Sequence, residues 1–165
     1  MLYLALFKSL AEHDIPYLLV GGLAVNLHGI PRLTMDVDLA VKFTWESVSG
    51  LEEMCHELSL VPIQPVSIRQ LADPAHRERM RREKNMAAFP LRSPVASDPT
   101  VDLLLETVWD FDSAWGRRVV RKIGQIPLHL ASIEDLITMK LELGRPQDLA
   151  DVAHLRRVLD EPKDR

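Results

Sequence analysis

The residues best suited to chemistry in this chain are Asp36, Asp38 and Asp102, with Gly21-Gly22 upstream of them. Val37, Leu39 and Val41 alternate with Asp36, Asp38 and Ala40, the period of a strand with one packed face. Residues two apart on a strand share a face, so both carboxylates project together, ~6.6 Å apart along the chain. Like charges on one face repel and aspartate is a poor strand former, so the pair needs a compensating cation. Oxygen ligands of this kind suit Mg²⁺ or Mn²⁺, which fills its shell with substrate phosphates. Two such ions ~3.5–4 Å apart activate an attacking hydroxyl and stabilise a departing pyrophosphate. Asp102, an acid flanked by apolar residues in Thr100-Val101-Asp102-Leu103-Leu104-Leu105, is the expected third carboxylate from a neighbouring strand. Glu106 shares its face and competes for the role, and a solvent-facing strand-end aspartate is the plain alternative.

The second half of such a site would hold phosphate. Tyr17-Leu18-Leu19-Val20 is a short apolar run that reads as a buried strand and stops at Gly21-Gly22, with a brief helix expected through Leu23–His28. Glycines between a strand and a helix leave backbone N–H groups uncovered, beside the positive end of the helix. A tight strand-to-helix turn is the bland reading of the pair taken alone. Arg32 and Thr34 precede the acidic strand and are within reach of a nucleotide bound there, or face solvent. Asp148 and Asp151 lie three apart on one helix face, which suits holding Lys140 or Arg145 in place more than touching substrate. No Gly-x-Gly-x-x-Gly follows the first strand, no Walker lysine follows the glycines, and no Gly-x-Ser-x-Gly is present.

The elements that must position these groups form a mixed α/β order. Tyr3, Leu6, Phe7 and Leu10 recur at helical spacing, and Thr44 is placed to cap a helix carrying Val48, Leu51, Cys55 and Leu58 inward. The proline-bearing stretch 62–84 is a solvated helix or a loop; Met86–Leu91 and Thr100–Leu105 read as strands, and Arg118–Ile123 with Ile126–Leu130 as an extended pair. Ser132 with Asp135 opens a helix through Leu143 that Gly144 stops. Pro146 opens a last helix with Leu149, Val152, Leu155 and Leu159 expected inward.

Gly-Gly, an Asp-x-Asp strand fourteen residues on and a lone strand aspartate resemble the polymerase-beta-like nucleotidyltransferase superfamily. Arg32-Leu33-Thr34-Met35-Asp36-Val37-Asp38-Leu39 is similar to its branch of abortive-infection nucleotidyltransferase toxins and small relatives. Ile133–Lys140 and Gly144-Arg145-Pro146-Gln147-Asp148-Leu149-Ala150-Asp151 resemble that branch's lysine helix and Arg-x-x-Asp-x-x-Asp element. The resemblance touches residues 16–42, 100–105 and 126–155. It implies that Gly21 and Gly22 hold nucleotide phosphates, that Asp36, Asp38 and Asp102 bind divalent metal, and that Lys140 reaches triphosphate oxygens. A snorkelling lysine paired with a nearby acid is the other reading of Lys140. Many superfamily members have Gly-Ser where this chain has Gly21-Gly22, so one serine contact to phosphate is missing.

Composition bounds the rest. At 165 residues, 47% hydrophobic, a single domain over 1–165 is expected, with a helical extension over about 132–160. The lone Cys55 excludes an internal disulfide and suits a reducing cytoplasm, and no apolar run is long enough for a membrane span. The net charge of −4 is unevenly spread: residues 69–92 carry seven cations against three acids, leaving −8 elsewhere. That basic segment is either a solvated helix or a surface for acceptor phosphates. The expected fold is a nucleotidyltransferase core, α/β (α+β), with a mixed twisted sheet and helices packed on it. The expected activity is Mg²⁺-dependent transfer of an NMP from an NTP to an acceptor hydroxyl. By resemblance the acceptor is RNA such as a tRNA 3′ end, a protein or a small molecule, and the protein is one component of a toxin–antitoxin pair. A non-catalytic nucleotide-binding or partner-binding module on the same fold is the alternative.

Overall fold

The computed structural model describes residues 2–160. Helix α1 (Leu2–Glu12) buries Leu2, Leu6, Phe7 and Leu10 and leads into strand β1 (Tyr17–Val20), buried throughout. The seven-residue helix α2 (Gly21–Leu27) follows with no linker, and a loop then reaches β2 (Val37–Val41). Helix α3 (Trp45–Glu57) begins at Thr44, whose side chain accepts from the Ser47 amide. After the two-residue β3 (Val61–Pro62) come a 3-10 turn (Ile68–Ala72), α4 (Pro74–Lys84), β4 (Ala88–Arg92) and β5 (Val101–Leu104). The second half holds α5 (Phe111–Arg117), the hairpin β6 (Val119–Ile123) and β7 (Ile126–Leu130), then α6 (Ile133–Leu143) and α7 (Pro146–Asp160).

The strands form one seven-stranded mixed sheet in the order β3-β4-β5-β2-β1-β7-β6. Strands β2 and β5, and β1 and β7, pair in parallel, and the other neighbours are antiparallel. Register across this sheet separates core from chemistry. Leu130, Leu19, Leu39, Leu103 and Phe89 stand side by side on five strands, all fully buried. One residue along, on the opposite face, Val20, Asp38, Asp102 and Pro90 form the adjacent row. A strand's side chains alternate faces, so the row that packs the core fixes the row that meets the cleft.

Several elements differ from what the sequence suggests. Helix α2 starts on the glycines themselves and not after them, and β2 starts at Val37, leaving Asp36 one residue outside it. Of the basic stretch, the part from Pro74 to Lys84 is a helix that fully buries only Met80; Arg79, Arg82 and Lys84 are exposed, while Arg77 and Arg81 are half-buried. In α7 Val152 and Leu155 are buried as expected, whereas Leu149 and Leu159 are exposed. The inward stripe of that helix is Asp148, Asp151, Val152 and Leu155, so two acids occupy the places expected of leucines. Among the described residues no helix is long and apolar enough to cross a membrane.

Candidate active site

The glycine pair is demanded by its neighbours. Gly21 has φ +65°, and a Cβ there would lie 1.9 Å from Asp38 Oδ2. A side chain on Gly22 would meet Thr34 Oγ1 at 2.9 Å and come within 3.4 Å of the Arg32 guanidinium carbon. The nucleotide-side candidates Gly21, Gly22, Arg32 and Thr34 are therefore gathered against Asp38. No side chain caps the start of α2, because Val20 holds the capping position. Asn26 fixes the loop that delivers Arg32: its amide donates to Arg32 O at 2.8 Å and accepts from Arg32 N at 2.6 Å. Sequence reasoning passed over Asn26; a polar residue six positions before Arg32, inside an otherwise apolar helix, was the signal.

The three carboxylates sense one another. Burial, then Asp102, then Asp36 push the Asp38 pKa up to about 6, against the opposing pull of Lys140 and Arg32. Burial and the Asp36 charge also raise Asp102. Asp36 accepts a hydrogen bond from Thr100 Oγ1 at 2.8 Å. Among the described residues three buried side-chain atoms lack a hydrogen-bond partner: Asp102 Oδ1 and Arg32 Nε here, and Arg81 Nε on α4. A buried acceptor and a buried cationic donor left unbonded are costly, and a ligand able to satisfy both is the economical explanation. No three His, Cys, Asp or Glu of the described residues are gathered closely enough to hold a metal ion by themselves. Mg²⁺ takes only one or two protein carboxylates and completes its octahedron with water and substrate phosphate. The donor set therefore fits that ion.

Helices α6 and α7 supply the opposite wall. Lys140 is buried, with Nζ 2.6 Å from Asp151 Oδ2 and 3.4 Å from Asp148 Oδ1. Asp151 also pairs with Arg32, and Asp148 receives Arg145 Nε at 2.6 Å. The Arg145 contact comes first among the charges that hold the Asp148 carboxyl low despite its burial. Asp148 and Asp151 thus contact Lys140, Arg145 and Arg32, and the Lys140 charge also bears on Asp38. Glu106, the rival to Asp102, is exposed and paired with Arg81. A cleft of about 380 Å³ is bounded by Gly21, Gly22, Asp38 and Asp102 on one side and Lys140 and Arg145 on the other.

Comparison with known proteins gives the family and the fold. Residues 4–165 match the family described as nucleotidyl transferase AbiEii toxin, type IV toxin–antitoxin system. No curated protein matches the chain. Among solved structures, the antibiotic-resistance factor ANT(2″)-Ia in solution is similar at 17% identity and TM-score 0.59, over 95% of this chain and 80% of that one. The crystal structure of ANT(2″)-Ia with adenylyl-2″-tobramycin gives 15% identity and TM-score 0.50, over 94% and 95%. An antigenic nucleotidyltransferase-like protein from Paracoccidioides brasiliensis gives 21% and 0.53, over 93% and 72%. At these identities the likeness is one of fold, and it matches the mixed sheet and flanking helices described above. With the family matched over nearly its whole length, the chain belongs to the AbiEii nucleotidyl transferase toxins of type IV toxin–antitoxin systems.

Proposed function

We propose that this nucleotidyltransferase moves a nucleoside monophosphate from an NTP to an acceptor hydroxyl with Mg²⁺ (or Mn²⁺), releasing pyrophosphate. The observation that carries the reading is the pair of orphaned buried atoms, Asp102 Oδ1 and Arg32 Nε, lining one cleft beside side-chain-free Gly21-Gly22. Triphosphate suits the glycines and Arg32; Lys140 adds a positive field on the same cleft, and Thr34 sets a hydroxyl against Gly22. Asp36, Asp38 and Asp102 are the carboxylates that would serve the metal, one or two of them binding it directly beside substrate phosphate and water; when bound it supplies charge neutralisation and hydroxyl activation. Asp102 is raised in pKa and has a free acceptor atom, so it is suited to orient the acceptor hydroxyl and take its proton. The oxygen then bonds to the α-phosphorus as the bond to the leaving pyrophosphate breaks. Asp148, Asp151 and Arg145 support the site by fixing Lys140 and Arg32.

The hydroxyl belongs to RNA such as a tRNA 3′ end, to a protein side chain or to a small molecule, and family membership supports an antitoxin as protein partner. The test is NTP binding with and without Mg²⁺ in wild type and in Asp36→Ala/Asp38→Ala. Mg²⁺-dependent binding that the double variant loses is expected; binding indifferent to both would sink the catalytic reading. A non-catalytic nucleotide-binding module is favoured by one observation, the commitment of Lys140 to Asp151 and Asp148. Labelled NTP incubated with Mg²⁺ and total RNA or lysate separates the two, since any labelled acceptor excludes the module.

A further inference from the structure

The cleft does not end at the carboxylates. A second pocket of about 270 Å³ adjoins it, sharing Leu104, Glu106 and Thr107 as a common wall. Ala40 follows Asp38 along β2 and Leu104 follows Asp102 along β5, and Lys42 and Glu106 lie just past the ends of those strands. The pocket therefore opens at the C-terminal ends of β2 and β5, beyond the carboxylates. Its charges are nearly all matched internally. Lys42 Nζ lies 2.7 and 2.8 Å from the two carboxylate oxygens of Asp112, and Glu106 pairs with Arg81.

Arg77 is the unmatched charge. It projects from α4, half-buried, with its guanidinium 5.0 Å above the centre of the Phe43 ring. It donates to Leu71 O at 2.5 Å, a neutral backbone partner, and the rest of its N–H fork has no acceptor among the described residues. Burial pulls its pKa down, with only a coulombic pull from Asp73 against that. A planar cation held rigid on an aromatic face, with free donors toward a polar pocket, is built for one phosphate.

We propose that the pocket formed by Arg77, Phe43 and Lys42 is an anion subsite that binds a phosphate of the acceptor while its hydroxyl lies at Asp102. The proposal rests on the transfer reading above for the identity of the bound molecule. It limits acceptors to molecules that carry a phosphate as well as the reactive hydroxyl, as a nucleotide chain or a phosphorylated metabolite does. The exposed Lys84 favours the chain, because it stands two turns beyond Arg77 on the same face of α4 and has no carboxylate partner among the described residues.

Two probes test this: a fluorescent oligoribonucleotide ending in a 3′-deoxy nucleotide, which cannot be extended, and ribose 5-phosphate. Each is titrated into wild type, Arg77→Gln and Arg77→Lys at several salt concentrations. For the probe that mimics the acceptor, Arg77→Gln is expected to weaken binding about tenfold. It also makes the log–log salt dependence shallower by about 0.7, one single-strand phosphate contact. Arg77→Lys keeps the slope and weakens binding about threefold, because the charge survives and the fork does not. If only the oligonucleotide responds, the phosphate is a chain phosphodiester; if only ribose 5-phosphate responds, it belongs to a small acceptor. Unchanged affinity and slope in the variants for both probes, or no binding of either probe to wild type at low salt, overturns the subsite. Mg²⁺-dependent NTP binding of wild type, measured in parallel, judges the transfer reading separately, so either can fail alone.

Discussion

Asp38 stands between groups that pull its proton in opposite directions. Burial, Asp102 and Asp36 favour the acid, while Lys140 and Arg32 favour the carboxylate; the acid-favouring set wins, and the pKa rises from 3.8 to about 6. A raised carboxyl pKa means that the folded chain keeps a proton which the unfolded chain has already lost. The cost to folding is absent below about pH 4, grows between about pH 4 and 6, and is complete above that. In EDTA, Asp38→Asn is therefore expected to stabilise the protein at pH 7.5 by about 3 kcal/mol and to change little at pH 4. Denaturant unfolding of both proteins at the two pH values checks this. Equal stabilities at pH 7.5 would show that the acid cluster is already relaxed without a cation. The glycine pair and the Asp-x-Asp spacing made the candidate site legible in the sequence, although β2 starts at Val37 and leaves Asp36 just outside it. The sequence did not disclose Arg32 Nε or Asp102 Oδ1 as orphans, since hydrogen-bond accounting needs every neighbour of an atom.

Helix α7 shows what element-level reading gets right and where it stops. Pro146 at the start and the inward Val152 and Leu155 follow from local rules, yet the leucine stripe expected of it is partly acidic. Asp148 and Asp151 turn inward because Lys140 on α6 and Arg32 on the glycine loop are waiting there, from eight and 119 residues away in sequence. A buried acid with two cationic partners is a cross-link between three segments. Removing it leaves Lys140 and Arg32 desolvated with less compensation, which typically costs about 3–5 kcal/mol. Asp151→Ala is accordingly expected to lose that much stability by denaturant unfolding, several times the cost of truncating the exposed Leu149. A loss below about 1 kcal/mol would show that the network is a surface arrangement. Other elements escaped for simpler reasons: α5, at seven residues, is too short to show a helical period, and β3 is only two residues long.

Across the whole molecule, a net charge of −4 conceals an organised separation. Acids gather at Asp36, Asp38 and Asp102, and α4 carries Arg77, Arg79, Arg81, Arg82 and Lys84 on the far side of the adjoining pocket. The site joins β1, α2, the loop before β2, β5, α6 and α7, so a ligand bound there ties distant segments together. Ligand that binds only the folded chain stabilises it by about 2.7 kcal/mol at a hundred times its Kd. For a chain of this length that raises Tm by about 5–10 °C. Mg²⁺ with NTP is expected to produce such a shift, and Asp36→Ala/Asp38→Ala to abolish it; a scan showing equal shifts in both proteins would contradict the metal assignment. The sequence by itself determined six of the seven strands, the glycine pair that ends β1, the paired aspartates and most helix ends, because these depend on period, capping and backbone freedom within a few residues. Only the tertiary structure decided that Asp102 stands beside Asp38, that α7's acids hold Arg32 and Lys140, and that Arg77 meets a pocket opening from the cleft. Those facts are contacts between segments far apart in the chain, fixed by sheet register and by how buried charges find partners.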